Sequence, residues 1–365
     1  MSVLAALEAA VYSATRAAIG DAPLATVKLT RAIVDRSLRY TSDRARLAAP
    51  ADRVGDLAAR AAFFTIADAM KIAVPLDELA ARDALPAARP LRVLDLGAGC
   101  GAMSLGLVAT IDAAIEITAI DRDAPALGIA AAAVRELART RGLEVTITTR
   151  VDDATSAKLP SADLVIIGTM LNELAEDAPV AVVRRALAAI AADGAVIIIE
   201  PALRDTTRAL HVVRDTLLAD GAAHVFAPCT RRGVPCPAYA ADDWCFEHRT
   251  VVLPPRTAEL ARLTHLRDDG LKFSYLVLRK DAKPLADAPN AWRVVGSPWA
   301  QKGKVEVLAC SDAGRMPIRL LRRHRSAANR SIERVERGDV LVVDAAPDDE
   351  RVEVLDETAV TKVGR

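Results

Sequence analysis

The chain has 365 residues, with 48 basic and 48 acidic side chains, so its formal net charge is zero. Hydrophobic residues make up 52% and charged residues 26%, which argues against a disordered chain and for packed cores. Overall neutrality excludes attraction to nucleic acid by bulk charge and leaves only local clustering.

No apolar run approaches the ~20 residues needed to span a bilayer. The start of the chain, interrupted by Glu8 and Arg16, reads as an amphipathic helix rather than a signal peptide. A cytoplasmic protein is expected, and there five cysteines point to metal binding or catalysis before disulfides. Residues 1–90 carry apolar positions at helical spacing, such as Leu29, Ile33, Val34 and Leu38, then Leu57, Ala61 and Phe64. Several helices are predicted, broken near Pro23, Pro50 and Pro75, as a helical cap without an obvious chemical role.

From Arg92 the texture changes to short β-branched runs alternating with Ala/Leu helices, the pattern of βαβ units and a parallel sheet. Strands are predicted at Arg92–Leu96, Glu116–Ile120, Glu144–Thr149, Asp163–Ile167 and Ala195–Glu200, with late strands at Thr250–Leu253 and Phe273–Arg279. Helices are predicted over Ala124–Arg141, Ala178–Ala192 and around Thr206–Leu218. After Pro284 the alternation stops. Trp292–Val295, Lys304–Leu308, Ile318–Leu321 and Val340–Val343 suggest a small β-rich domain. The expected organisation is a helical region over 1–90, an α/β domain over 91–282 and a β-rich domain over 283–365.

The first strand runs Val93-Leu94-Asp95-Leu96 into Gly97-Ala98-Gly99-Cys100-Gly101, a glycine turn opening a helix at Ala102. Glycines permit positive φ and let a ligand approach the backbone, and the helix start offers free N–H groups. The G-x-G-x-G spacing differs from the G-x-G-x-x-G of dehydrogenases. Asp121 ends the second strand, where a carboxylate can accept ribose hydroxyls. Asp152, with Asp153 beside it, follows the third strand at the position suited to an adenine amine. With Asp95 near the methionine moiety, the ordered set points to S-adenosylmethionine in a class I, seven-stranded Rossmann-like fold. Met170-Leu171-Asn172-Glu173-Leu174 follows the fourth strand. Asn172 and Glu173 are the weak catalytic candidates there, and capping of the next helix is the competing reading.

Cys229, Cys236 and Cys245 follow one another as C-x6-C-x8-C in a Pro- and Arg-rich segment at about 224–248. Core cysteines sit on periodic apolar faces, whereas thiolates converging from a loop serve zinc or an iron–sulfur cluster. Cys310 is the best candidate for a fourth ligand, and His224 and His248 lie near enough in sequence to serve zinc. Cys100 reads as a small residue of the glycine loop. Between Lys302 and Arg337 stand ten Lys/Arg against four acids, densest at Arg322-Arg323-His324-Arg325. Such a patch attracts phosphate through counterion release. The 3% aromatic content suggests shape recognition of folded RNA before single-strand stacking.

Taken together, the words LDLGAGCG, LNEL, HVFAPCTRRGVPCP, DDWCFEH and KFSYLVL, followed by Cys310, resemble the methyltransferase-like family associated with the mitochondrial small ribosomal subunit and its bacterial relatives. The match runs over roughly Leu91–Cys310. The resemblance implies a class I methyltransferase fold, a 4Fe–4S cluster on Cys229, Cys236, Cys245 and Cys310, and a role on small-subunit rRNA by methylation or assembly. A departure is the acidic Asp348-Asp349-Glu350 near the end, where the family is usually basic. Two other readings stay open: a non-catalytic RNA-binding assembly factor of the same fold, and a small-molecule methyltransferase with a zinc-stapled lid.

Overall fold

The computed structural model describes residues 2–41, 50–175, 177–267 and 269–363. The chain forms two compact units: Met1–Val74, Pro86–Glu173 and Arg249–Leu271 make one, and Pro75–Leu85, Leu174–His248 and Lys272–Arg365 the other.

In the first unit, α1 (Val3–Ile19) is opened by Ser2, whose side chain accepts from the Ala5 N–H. Pro23 lies in a 3-10 turn between it and α2 (Thr26–Thr41). Leu29 and Ile33 of α2 are buried as expected, but Val34 and Leu38 are exposed. α3 (Arg53–Ala59) continues through a π-helical stretch (Arg60–Thr65) into α4 (Ile66–Asp68) and a 3-10 turn (Ala69–Ile72). Pro75 does not break the chain. It lies in the first turn of α5 (Ala73–Ala80), where the missing N–H has no helical partner to lose.

Strands β1 (Leu91–Leu96), β2 (Ile115–Asp121), β3 (Val145–Val151) and β4 (Ala162–Gly168) pair in parallel in the order 3-2-1-4. β4 is buried at all but its last residue, hence its unbroken apolar run. α6 (Ala102–Thr110) and α7 (Ala124–Arg141) supply the crossovers, the latter capped by Asp123 and ended by Gly142 at φ 67°.

The second unit holds α8 (Ala178–Ala189), β5 (Ile190–Pro201), α9 (Arg204–Ala219), β6 (His224–Ala227) and α10 (Pro237–Ala240). β7 (Glu247–Arg249) pairs with β8 (Leu271–Arg279), which also runs antiparallel between β5 and β6. The strand expected at Thr250–Leu253 is absent. Pro254 caps α11 (Pro255–Thr264), which belongs to the first unit, and the extended run before it leaves Val252 86% exposed without a partner strand.

The C-terminal part is a sheet of β9 (Ala291–Val294), β10 (Trp299–Gln301), β11 (Lys304–Ser311), β12 (Gly314–Leu321), β13 (Val340–Val343), β14 (Val352–Val354) and β15 (Val360–Val363). Its order is 14-12-11-9-13-15, with β10 also on β11. Trp292, Val307, Ile318, Leu341 and Val352 pack its core. Buried Asn329 ties the loops together, donating to the carbonyls of His324 and Leu355 while accepting from the Ser326 N–H. Among the described residues, no helix is long and apolar enough to cross a membrane.

Candidate functional site

The glycine loop follows β1 as the sequence suggests. Gly97, Gly99 and Gly101 have φ of 68°, 51° and 83°, a backbone that L side chains rarely adopt. A Cβ on Gly97 would meet Met170 at 2.7 Å, and one on Gly101 would meet Ala130 at 2.8 Å. Over Gly99 nothing lies within 4 Å, so its backbone faces open space a ligand can enter.

Asp121 is not a free strand-end carboxylate. It accepts from the backbone N–H of Gly99 and of Asp123, both at 2.8 Å, and so shapes the loop. Asp95 is buried and takes the Ser104 hydroxyl at 2.6 Å. Burial pushes its carboxyl up to about 6, against the pull of that bond. Asp152 pairs with Arg150 at 2.8 Å and accepts from the Asp153 N–H, which together hold it below the usual carboxylate range. Asp153 turns instead to Thr155. Cys100 is buried, and burial pushes its thiol up to about 11.

The N-terminal helices contribute chemistry that the sequence left unassigned. Arg60, at the start of the π-helical stretch, bonds both Asp56 and Asp123, while Arg36 and Arg39 hold Asp56 from the other side. The cap of α7 therefore rests on a cation from the helical region. π-helical stretches recur at functional sites, but no sequence signal marks this one. Asn172 and Glu173 lie in a 3-10 turn (Leu171–Glu173), and the Glu173 carboxylate accepts from the Tyr40 hydroxyl at 2.6 Å. The residue before α8 is Asp177, so neither candidate stands at the start of that helix.

In the second unit, Cys229, Cys236, Cys245 and Cys310 line one cavity of about 70 Å³. Cys229 and Cys236 follow the cis-prolines Pro228 and Pro235. Cys310 enters from β11, and the Thr230 hydroxyl donates to its carbonyl at 3.0 Å. Asp312 reinforces the join, accepting from the N–H of Arg232 while its carbonyl takes Arg231. Asp215 accepts from the Cys236 N–H at 2.8 Å, and Ser274 donates to the Cys245 carbonyl at 2.9 Å.

All four cysteines are free thiols. Burial raises Cys236, Cys245 and Cys310, the last to about 12, and neighbouring cysteines raise each further. Among the described residues, no group of three or more His, Cys, Asp or Glu side chains is arranged to hold a metal ion. His224 and His248 do not line the cavity; His211 does, and burial holds it down to about 4, neutral near pH 7.

The cavity wall is rich in donors. Of the lining residues, His211 Nδ1, Arg214 Nε and Arg231 Nε are buried without hydrogen-bond partners; Trp244 Nε1 and Arg315 Nε are too, but those two residues do not line the cavity. Buried polar groups are normally satisfied, so the two guanidinium N–H groups of Arg214 and Arg231 in the wall suit an anionic occupant. The same cavity rests on a buried network in which Arg293 bonds Glu78 at 2.6 Å, Glu247 at 2.9 Å and the Tyr275 hydroxyl at 2.7 Å.

The expected basic patch is partly consumed internally. Lys304 pairs with Glu306, Arg315 with Asp243, Arg319 with Glu353 and Arg325 with Glu333, while Arg337 covers the Phe246 ring. Lys302, Arg322, Arg323, Arg330 and Arg334 remain exposed.

The parallel 3-2-1-4 order, the glycine loop after β1, the acid ending β2 and a reversed strand between β5 and β6 define a Rossmann-like fold of the class I methyltransferase type. The profile of the family described as "Mitochondrial small ribosomal subunit Rsm22" matches residues 58–342, and the chain belongs to that family.

Among solved structures the chain is similar to magnesium protoporphyrin IX methyltransferase of Synechocystis PCC 6803 with bound SAM. Identity is 14%, with 68% of this chain and 97% of that chain covered and a TM-score of 0.36. It is also similar to the putative RNA methyltransferase PH1948 of Pyrococcus horikoshii, at 13% identity, 59% and 83% coverage and a TM-score of 0.34. TrmN of Thermus thermophilus follows at 22% identity, 56% and 48% coverage and a TM-score of 0.32. No curated protein matches the chain in sequence.

Proposed function

We propose that this chain binds S-adenosylmethionine at the β1 glycine loop, carries a 4Fe–4S cluster on four cysteines, and acts in the cytoplasm on small-subunit ribosomal RNA. One observation carries the reading. Cys310, far along the chain and on the β-rich sheet, lines the same cavity as Cys229, Cys236 and Cys245, within the residues that match a family named for the small ribosomal subunit.

The residue types present suit both groups in their chemistry, although the four thiols are not drawn together as metal ligands. In the loop of Gly97, Ala98, Gly99 and Gly101 it is Gly99 that leaves backbone open to a ligand, with Asp95 for the methionine end, Asp121 for the ribose and Asp152 for the adenine. The cofactor would supply an electrophilic methyl group. Cys229, Cys236, Cys245 and Cys310 would hold the cluster, and the unpartnered Nε donors of Arg214 and Arg231 in the cavity wall would stabilise its negative charge. As a structural centre it would pin the β-rich sheet to the loop after β6 and contribute folding energy.

Anaerobically purified protein is expected to be brown, with iron and acid-labile sulfide in equal amounts, and Cys310→Ser to lose both. A colourless protein with one zinc would replace the cluster with a structural zinc. For the reaction, small-subunit rRNA methylation maps with and without the gene are decisive, one missing methyl group being expected. An unchanged map together with retained rRNA binding would support the second reading, a non-catalytic assembly factor. That reading is favoured by Glu173, whose carboxylate is engaged by Tyr40.

A further inference from the structure

Composition suggested few stacking platforms, yet one of the three tryptophans, Trp299, is 63% exposed. It opens β10, a three-residue strand joined to β11 by the turn Lys302-Gly303. Register places Trp299 opposite Glu306, and Glu306 opposite Arg319 on β12. Directly paired residues share a face, while the alternate residues Val305 and Val307 are buried in the core. Trp299 therefore stands on the outer face of the sheet.

The surroundings are cationic. Lys304 Nζ lies 5.9 Å from the Trp299 ring centroid. The acids in register beside it are paired, Glu306 with Lys304 and Glu353 with Arg319. Lys302 is exposed at the tip of the turn, where Gly303 has φ 88°. The Arg322 N–H donates to the Gly303 carbonyl at 2.8 Å, which brings the exposed Arg322 and Arg323 to the same end of the sheet.

An exposed indole serves no packing purpose here, since the domain core is closed by Trp292 on the other face. An aromatic face beside fixed positive charges is what an unpaired base on a phosphodiester strand requires. We propose that Trp299 is a stacking platform for an unpaired RNA base, with Lys302, Arg322 and Arg323 holding the flanking phosphates. The inference rests on the RNA reading above and narrows it to single-stranded RNA at this face.

The test uses the full-length protein, a short single-stranded oligoribonucleotide and the same strand annealed to its complement. Trp292 is buried, so quenching of intrinsic fluorescence that disappears in Trp299→Phe reports on Trp299. The single strand is expected to bind more tightly than the duplex and to quench. Trp299→Ala should weaken it roughly tenfold, as stacking of one base implies, with Trp299→Phe retaining most affinity and an unchanged melting temperature. Lys302→Ala with Arg322→Ala should flatten the salt dependence. Tight binding by Trp299→Ala, or binding without quenching, overturns the platform while leaving the RNA reading intact. Binding of neither RNA form overturns both. Quenching by a small-subunit protein in place of RNA would assign this face to a protein partner and overturn the proposal.

Discussion

The backbone N–H of Gly99 donates to the Asp121 carboxylate at 2.8 Å, so the acid that spacing reserves for a ribose also builds the glycine loop. The second carboxylate oxygen takes the Asp123 N–H, leaving neither oxygen without a backbone donor. Asp121→Asn replaces one acceptor by an NH2 facing an N–H. The cofactor-free protein is then expected to lose about 1–3 kcal/mol, together with affinity for S-adenosylmethionine. Urea unfolding without ligand checks this, and a loss confined to affinity would show that Asp121 serves the ribose alone.

If S-adenosylmethionine binds as proposed, Asp95 should make that binding depend on pH. Its carboxyl is raised to about 6 by burial, and the positively charged methionine end favours the ionised form. Affinity should fall as pH drops through 6, being about tenfold weaker at pH 5 than at pH 7 if the carboxylate is required. Ser104→Ala removes the hydrogen bond that favours ionisation and moves the midpoint upward. In the cofactor-free chain the sign reverses. A folded-state value above the unfolded one means that stability declines between about pH 4 and 6 as pH rises. Calorimetric titrations across this range measure both effects.

Asp68 behaves in the opposite sense. Burial alone would raise its carboxyl, but Arg267 at 2.8 Å and Lys71 at 2.9 Å outweigh burial and hold it well below the usual range. Its contribution is complete above about pH 4 and is lost as pH falls through the depressed folded value. Asp68→Asn removes the buried carboxylate that pairs with Lys71 and Arg267 and is expected to cost about 3–5 kcal/mol at pH 7. The gap between the two proteins should narrow below pH about 4, measured by denaturant midpoints.

Gly106 is a packing glycine in α6. A Cβ there would lie 1.9 Å from the Ala69 carbonyl oxygen and 2.7 Å from Ile72. Gly106→Ala should destabilise by about 3 kcal/mol, the upper end for overpacking. Gly128 in α7 has nothing within 4 Å and an ordinary helical backbone, so Gly128→Ala should stabilise by about 0.4–1 kcal/mol. Thermal unfolding of the pair separates close contact from helix propensity.

The alternating strands were readable because parallel strands buried on both faces write themselves as apolar runs, and α7 matched its expected limits, Ala124–Arg141. Val251-Val252-Leu253 carried the same local signal and formed no strand, since β-propensity acts only where a neighbour offers hydrogen bonds and cover. Gly106 carried no signal at all, because its role depends on the Ala69 carbonyl of another helix.

Family, fold class and the identity of the chemically able residues were set by the sequence alone, because glycines, strand-end acids and clustered cysteines are local and ordered along the chain. Only the tertiary structure decided what those residues touch. It brought Cys310 to the other three thiols, gave Asp121 to the glycine loop, drew Arg60 from the helical region to Asp123, and neutralised much of the basic patch while leaving Trp299 exposed. Each of these is a contact between segments distant in sequence, and no local pattern records such a distance.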